Sequence, residues 1–364
     1  MTETSLRGYE IEIPASADGG DRVPDLTPRE AVERWINKLR VGKRESTVSS
    51  YHYRLKHFVE FTEAERITSI GEITGWDVET YETHRREHGV EPISLNNEMK
   101  TLRRFFEYCA RIELVDDDLA EKVEPPKLEA DDHVSESQLE PARAKALLEQ
   151  YARTEYGSRR HALLALEWYT GARLGGLRGL DVENFDDQEG YLEFLHRPDE
   201  DTPLKNGFDG ERVVGLPPHV VEIVASYVDE NRNDVFDDYG RRPLLSSSVG
   251  RASRAAVRGW TYLATLPCVR TECPHGADPE TCEYTGYTHA SKCPSSRSPH
   301  EVRTGSITWQ LNQGIPVERV SERVNTSIRV LLRHYDKPDH LEEMRKRRQP
   351  FLDRLTFDDG GGNK

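Results

Sequence analysis

Apolar residues recur at helical spacing through most of the chain. Between Ser46 and Phe61, Val48, Tyr51, Leu55, Phe58 and Phe61 fall on one face, and Leu95, Met99, Leu102, Phe106 and Cys109 do the same in a segment opened by Ser94. Cys109 on that apolar face reads as a core residue. Thr27-Pro28-Arg29-Glu30 has the side chains of a capping box with proline at the first helical position, so a helix is expected to start there. Gly75-Trp76-Asp77 begins a further helix through Tyr81 and His84. No segment before residue 125 shows a convincing strand pattern, so residues 26–125 predict a small all-helical domain. Residues 1–25 are aperiodic and Gly/Asp/Ser-rich and predict a disordered arm.

A Pro-bearing charged linker over 126–135 leads into a second, mostly helical domain at 136–340. The pattern predicts helices at 141–152, 158–169, 174–180 and 218–229. Strands are predicted at 191–196 and 211–216, the second following a turn at Lys205–Gly210. Ser298-Pro299-His300-Glu301 repeats the capping box and opens a helix ending near Gly314, with Pro316 just beyond. Short helices are expected at 316–324 and 327–335. The tail, 341–364, runs from the basic Arg345-Lys346-Arg347-Arg348 to a loose Gly-rich end. The expected fold is thus mainly α with a small β-hairpin or sheet.

Length supports two domains rather than one core. No apolar run approaches the ~20 residues that span a membrane. The opening residues lack the basic and apolar parts of a secretion signal, so a cytoplasmic protein is expected. The formal net charge of −15 argues against a nucleic-acid binder at first sight. Arginine, however, outnumbers lysine 38 to 12, and an acidic, Arg-over-Lys composition suits a protein of a salt-loving organism. At high salt, repulsion between an acidic surface and DNA is screened within a Debye length of ~3 Å at 1 M.

A metal-free phosphodiester transfer needs a nucleophile, fixed cations on the non-bridging oxygens and a proton donor for the leaving oxygen. Arginine suits the oxygens because its planar fork donates two bonds and keeps its charge. In the second domain Arg173 sits at a turn between helices, Lys205 at the hairpin, and His300 and Arg303 three apart on one helix face. Tyr335 follows. The segments Y-T-G-A-R-L-G-G-L-R-G-L-D, T-P-L-K-N-G, S-P-H-E-V-R and R-H-Y-D resemble, in this order, the tyrosine recombinase (phage-integrase) family. The preceding helical unit is similar to that family's SAM-like, DNA-clamping core-binding domain, so the resemblance covers about residues 25–340. The acidic composition and a cysteine-bearing insertion look most like integrases of haloarchaea.

The resemblance implies that Tyr335 attacks the scissile phosphate, leaving a 3′-phosphotyrosyl bond and a free 5′-hydroxyl. Arg173 and Arg303 would hold the non-bridging oxygens, Lys205 would protonate the departing 5′-oxygen, and His300 would act as acid or base near the tyrosine hydroxyl. It implies no cofactor for catalysis, double-stranded DNA as partner and a homo-tetramer on paired DNA sites. Two positions depart from the family pattern. Gly176 stands where a Glu is usual, three residues after Arg173, so Arg173 needs another partner. Thr326 stands where a His or Trp is usual, nine residues before Tyr335, and His334 is the neighbour placed to compensate. These departures favour a first alternative, a non-catalytic architectural or regulatory DNA binder; a topoisomerase-like relaxing enzyme, acting without a partner site, is the second.

Four of the five cysteines, Cys268, Cys273, Cys282 and Cys293, fall in one short stretch with His275 and His289. Four thiolates, or three and a histidine, suit a tetrahedral structural zinc that clips the insertion just before His300. Free thiols in a redox-sensitive loop are the alternative. In the first domain Lys43, Arg44, Ser46 and Thr47 lie at a helix start, where backbone N–H groups favour phosphate, and Arg103 and Arg104 lie opposite an apolar stripe. All six are candidate DNA contacts, and singly each is equally well a solvated surface group.

Overall fold

The computed structural model describes residues 24–128, 137–269, 273–334, 340–349 and 351–352. The expected N-terminal arm, most of the expected linker and Tyr335 lie outside the described residues. The chain divides into two compact units at residues 135/136.

In the first unit, helix α1 (Pro28–Arg40) starts where the capping box places it. The Thr27 hydroxyl accepts the Glu30 amide at 3.2 Å, and the Thr27 amide donates to the Glu30 carboxylate at 2.9 Å. Helices α2 (Glu45–Ala64), α3 (Gly75–Glu87) and α4 (Pro92–Arg111) follow. Helix α4 begins two residues before Ser94, because Pro92 is preset for a first helical turn. Phe58, Phe105, Phe106, Tyr81 and Trp35 pack a core dominated by tilted and edge-to-face rings. Cys109 is fully buried in this core, where burial pushes its thiol up to about 12.

The second unit opens with α5 (Pro141–Thr154), α6 (Arg159–Thr170) and α7 (Leu174–Gly179). Strands β1 (Phe185–Asp186), β2 (Tyr191–Phe194) and β3 (Arg212–Gly215) form an antiparallel sheet in sequence order, with Leu192 opposite Val214 and Phe194 opposite Arg212. Helices α8 (Pro218–Ser226), α9 (Arg254–Ala264), α10 (Pro299–Asn312), α11 (Val317–Val324), α12 (Ile328–His334) and α13 (His340–Glu343) complete it. Helix α6 is the centre: Ala162 to Glu167 are all buried, and α5, α8, α9 and α10 pack around it. Helix α9 and strand β1 lie outside the sequence expectation. The buried stripe of α9 (Val257, Trp260, Thr261, Ala264) includes a polar residue and one small one, and a two-residue strand is too short for any periodicity. Among the described residues no helix is long and apolar enough to cross a membrane.

Candidate active site

The site is built on the end of α6. Gly171 caps that helix in the left-handed region (φ 59°), and a Cβ there would meet Val324 Cγ1 at 2.9 Å, so glycine is required on both counts. Thr170 stiffens the turn: its hydroxyl donates to the Leu166 carbonyl and accepts the Ala172 amide at 3.1 Å. Arg173 then caps α7 half-buried. Its Nη1 donates to the Asn325 carbonyl at 2.5 Å and its Nη2 reaches Thr326 Oγ1 at 3.4 Å. The partner that Arg173 needs without a Glu at 176 is therefore a backbone carbonyl. At Gly176 itself a Cβ would meet the Phe194 ring at 3.2 Å.

Ser298 and Glu301 form the capping box of α10, and Glu301 also accepts from the Ser137 hydroxyl. Burial works to raise the Glu301 pKa, but these hydrogen bonds outweigh it and hold it low. One turn in, Arg303 is buried and its Nη1 donates to the carbonyls of Gly171 (2.5 Å) and Val324 (3.0 Å). Although the His300 ring reaches solvent, the protein packed around it lowers its pKa. The positive charges of Arg303, Arg173 and Lys205 lower it further, against an opposing pull from Glu301. Lys205 is exposed on the turn before β3, and that turn is tied to the end of α11 through Asn206 Nδ2, which donates to Asn325 Oδ1 at 2.7 Å.

Arg173, Lys205, His300 and Arg303 thus converge, joined by Asn325, a residue the sequence reading passed over. Asn325 leaves α11 in the left-handed region (φ 51°), a conformation asparagine tolerates, and takes Arg173 on its carbonyl and Asn206 on its side chain. Arg212 and Arg323, also unremarked in the sequence, border the same cluster. Thr326 is buried beside Arg173 rather than offering a buttress of His or Trp size. Tyr335 and the His334 side chain lie outside the described residues, although α12 ends at His334.

Of the first-unit candidates, Lys43 and Arg44 are exposed just before α2, with Arg44 as its N-cap, and Thr47 is half-buried. The Ser46 side chain lies outside the described residues. Arg104 Nη1 donates to the Tyr51 hydroxyl and Arg103 pairs with Glu107 at 3.7 Å, so both already have partners within their own unit.

Cys268, Cys273, Cys282, Cys293 and His275 line one cavity of about 260 Å³; His289 is not among its lining residues. The Cys268 thiol is pushed up first by burial and then by the other three thiols. Among the described residues, however, no three His, Cys, Asp or Glu side chains converge closely enough to hold a metal ion as they stand. The base of the insertion is closed by Thr265, whose hydroxyl accepts the Arg297 amide at 2.8 Å and lies 3.1 Å from the Arg297 carbonyl.

Residues 32–112 match the family model described as phage integrase, N-terminal SAM-like domain. The chain is 25% identical to tyrosine recombinase XerD of Shewanella oneidensis over 206 residues, 56% of this chain and 62% of that one. It is 47% identical to the N-terminal domain of a phage integrase/site-specific recombinase from Haloarcula marismortui, over 29% of this chain and all of that one, with a TM-score of 0.28. The Tn1549 transposon integrase, solved in complex with a circular intermediate DNA, shares the fold at a TM-score of 0.62 and 15% identity, over 91% of this chain and all of that one. A SAM-like helical domain followed by the integrase catalytic fold is the architecture this chain shares with the tyrosine recombinases it resembles.

Proposed function

We propose that this chain is a site-specific recombinase that cuts and rejoins double-stranded DNA through a 3′-phosphotyrosyl link to Tyr335. The observation that carries the reading is the convergence of Arg173, Arg303, Lys205 and His300 in the second unit. Two guanidiniums aimed by backbone carbonyls can take the two non-bridging oxygens and stabilise the charge that grows on them. Burial and the charges of Arg303, Arg173 and Lys205 lower the His300 pKa, which favours the neutral imidazole that can accept the tyrosine proton. The tyrosine oxygen then bonds to phosphorus, the bond to the 5′-oxygen breaks, and Lys205 supplies the proton that makes it a hydroxyl. Bond energy is stored in the phosphotyrosine, so no nucleotide cofactor is consumed, and attack by another strand's 5′-hydroxyl completes the exchange.

The reading extends to a homo-tetramer on paired DNA sites in the cytoplasm. It takes 26–125 as the DNA-clamping domain, with Lys43, Arg44, Ser46, Thr47, Arg103 and Arg104 as candidate contacts, and 136–340 as the catalytic domain. The acidic, arginine-rich composition supports a haloarchaeal-type integrase working at high salt. The reading also includes a structural zinc in the cysteine insertion, supported by four thiols and His275 on one cavity. That ion would require the loop to contract until the ligands reach bonds of ~2.3 Å. Metal analysis of the purified chain should find about one zinc, lost in Cys282→Ser; a metal-free chain that melts identically removes the zinc.

The test of the enzyme is covalent trapping. The chain is incubated at high salt with nicked suicide DNA carrying candidate sites, beside Tyr335→Phe, and resolved under denaturing conditions. A protein–DNA adduct lost in the mutant is expected. DNA binding with no adduct would instead establish the architectural or regulatory relative.

A further inference from the structure

Arg212 has no part in the reaction just proposed, yet it lies within the electrostatic reach of Arg173 and Arg303. It opens β3, and its guanidinium stacks on the Phe194 ring, 4.1 Å from the centroid. Its Nε donates to the Arg323 carbonyl at 2.8 Å and its Nη1 to the Gly210 carbonyl at 3.0 Å. The next carbonyl along, Val324, takes Arg303, and the one after, Asn325, takes Arg173. Three consecutive carbonyls at the end of α11 therefore each hold a different arginine, brought there by β3, by α10 and by the turn between α6 and α7.

The physics favours such a socket. The last carbonyls of a helix have no amide partner within it, and they form the negative end of its dipole. The left-handed Asn325 turns the chain away and leaves all three accessible. The end is pinned from the other side by Arg323, whose Nη2 donates to the Tyr169 carbonyl at 2.8 Å, just ahead of the Thr170–Gly171 turn. Among the described residues no carboxylate pairs with Arg173, Arg212 or Arg323. Burial lowers the Arg212 pKa to about 10, helped by the charges of Arg303, Arg173 and Arg323. A half-buried cation among like charges is costly, and an apolar side chain of similar volume would pack there with less penalty. Among the described residues, Arg212 is offset by the carbonyls it bonds and by the face of the Phe194 ring.

We infer that Arg212 is a positioning residue for phosphoryl transfer: by holding the first carbonyl of this socket and bridging it to Gly210, it sets the register in which Arg173 and Arg303 meet the phosphate. The inference rests on the recombinase reading for its consequence, but not for the socket itself. The test compares wild type, Arg212→Met (neutral, able to lie on Phe194) and Arg212→Lys. Adduct formation is timed at saturating suicide DNA, DNA affinity is measured separately, and amide hydrogen exchange is followed at Asn325 and Thr326. Misplacement by an ångström costs about a hundredfold in rate, so Arg212→Met should slow adduct formation by at least about 30-fold, leave Kd within about threefold and speed exchange at least about tenfold. Arg212→Lys should recover part of the rate. A wild-type rate in Arg212→Met, or a rate loss matched by an equal loss of affinity, overturns the inference. If wild type forms no adduct, the recombinase reading fails and exchange alone judges the socket: unchanged protection sinks it. Should Arg212→Met not fold, Arg212→Lys carries the same comparison.

Discussion

Gly176 shows how one position can look like a lesion in the sequence and not be one in the structure. The missing carboxylate would suggest a weakened Arg173, but even a Cβ at 176 would press to 3.2 Å on the ring of Phe194, on which Arg212 is stacked. Restoring the acid should therefore harm the protein. Gly176→Glu forces a side chain into a packed ring contact and buries a carboxylate, for a loss of about 2–4 kcal/mol, read from urea denaturation. A variant as stable as wild type would show that the Phe194 contact yields easily. Glu167 makes the opposite point, because it is a wholly buried carboxyl that belongs to the core. Thr261 has one hydroxyl proton and two acceptors in reach, Glu167 Oε1 at 2.7 Å and the Val257 carbonyl at 3.1 Å. A protonated Glu167 relieves that competition by donating, and burial pushes its pKa up to about 8. The folded value lies above the unfolded one, so the stability it contributes is complete below pH 4.5 and drains away as the pH rises to about 8, at roughly 1.4 kcal/mol per pH unit. Glu167→Gln has no such loss. It should melt with wild type at pH 4.5 and well above it at pH 8; equal melting temperatures at both would mean the carboxyl titrates normally.

Among the elements, those framed by local chemistry were legible in advance, and those framed by distant contacts were not. Helices α1 and α10 announce themselves because a capping box needs only residues three apart, Thr27 with Glu30 and Ser298 with Glu301. Helix α9 does not, because Thr261 sits on its buried stripe for the sake of Glu167, a partner 94 residues away. The site divides the same way. Arg173, Lys205, His300 and Arg303 could be picked out by residue type and order, whereas the α11 socket that aims the arginines is made of backbone carbonyls, which leave no mark in side-chain identity. The segment carrying Lys205 has a hidden support too. Asp181, almost wholly buried, pairs with Arg197, Arg241 and Arg251; Arg241 also reaches Thr202 Oγ1 at 3.0 Å, three residues before Lys205. Asp237 shares Arg241 and Arg251. Asp181→Asn leaves three guanidiniums around a neutral amide and should cost about 3–5 kcal/mol. Because the cluster is buried, that cost should change little between 0.1 M and 3 M salt, whereas an exposed pair such as Lys145–Glu149 would be screened to nothing over the same range. A penalty in Asp181→Asn that vanishes at high salt would place the cluster in water.

At the scale of the whole molecule the puzzle is charge. A chain of net charge −15 concentrates Arg173, Arg212, Arg303, Arg323 and Lys205 in one cluster. Two opposing salt effects would then act on the proposed DNA binding. Cations that meet phosphates release counterions, which makes ordinary DNA-binding proteins weaken steeply as salt rises, by about 0.9 in log affinity per contact for each tenfold increase. The surrounding acidic surface repels DNA, and salt removes that repulsion as the Debye length contracts from ~10 Å at 0.1 M to ~3 Å at 1 M. The first effect is local and set by a few contacts; the second is summed over the whole acidic surface and disappears within the same range. Affinity for duplex DNA should therefore rise or stay level from 0.1 M towards 1 M potassium chloride and decline only beyond it. Fluorescence anisotropy titrations across that series read the slope directly. A monotonic fall as steep as counterion release alone predicts would mean that the acidic surface faces away from the bound DNA and that the arginine cluster meets it unopposed.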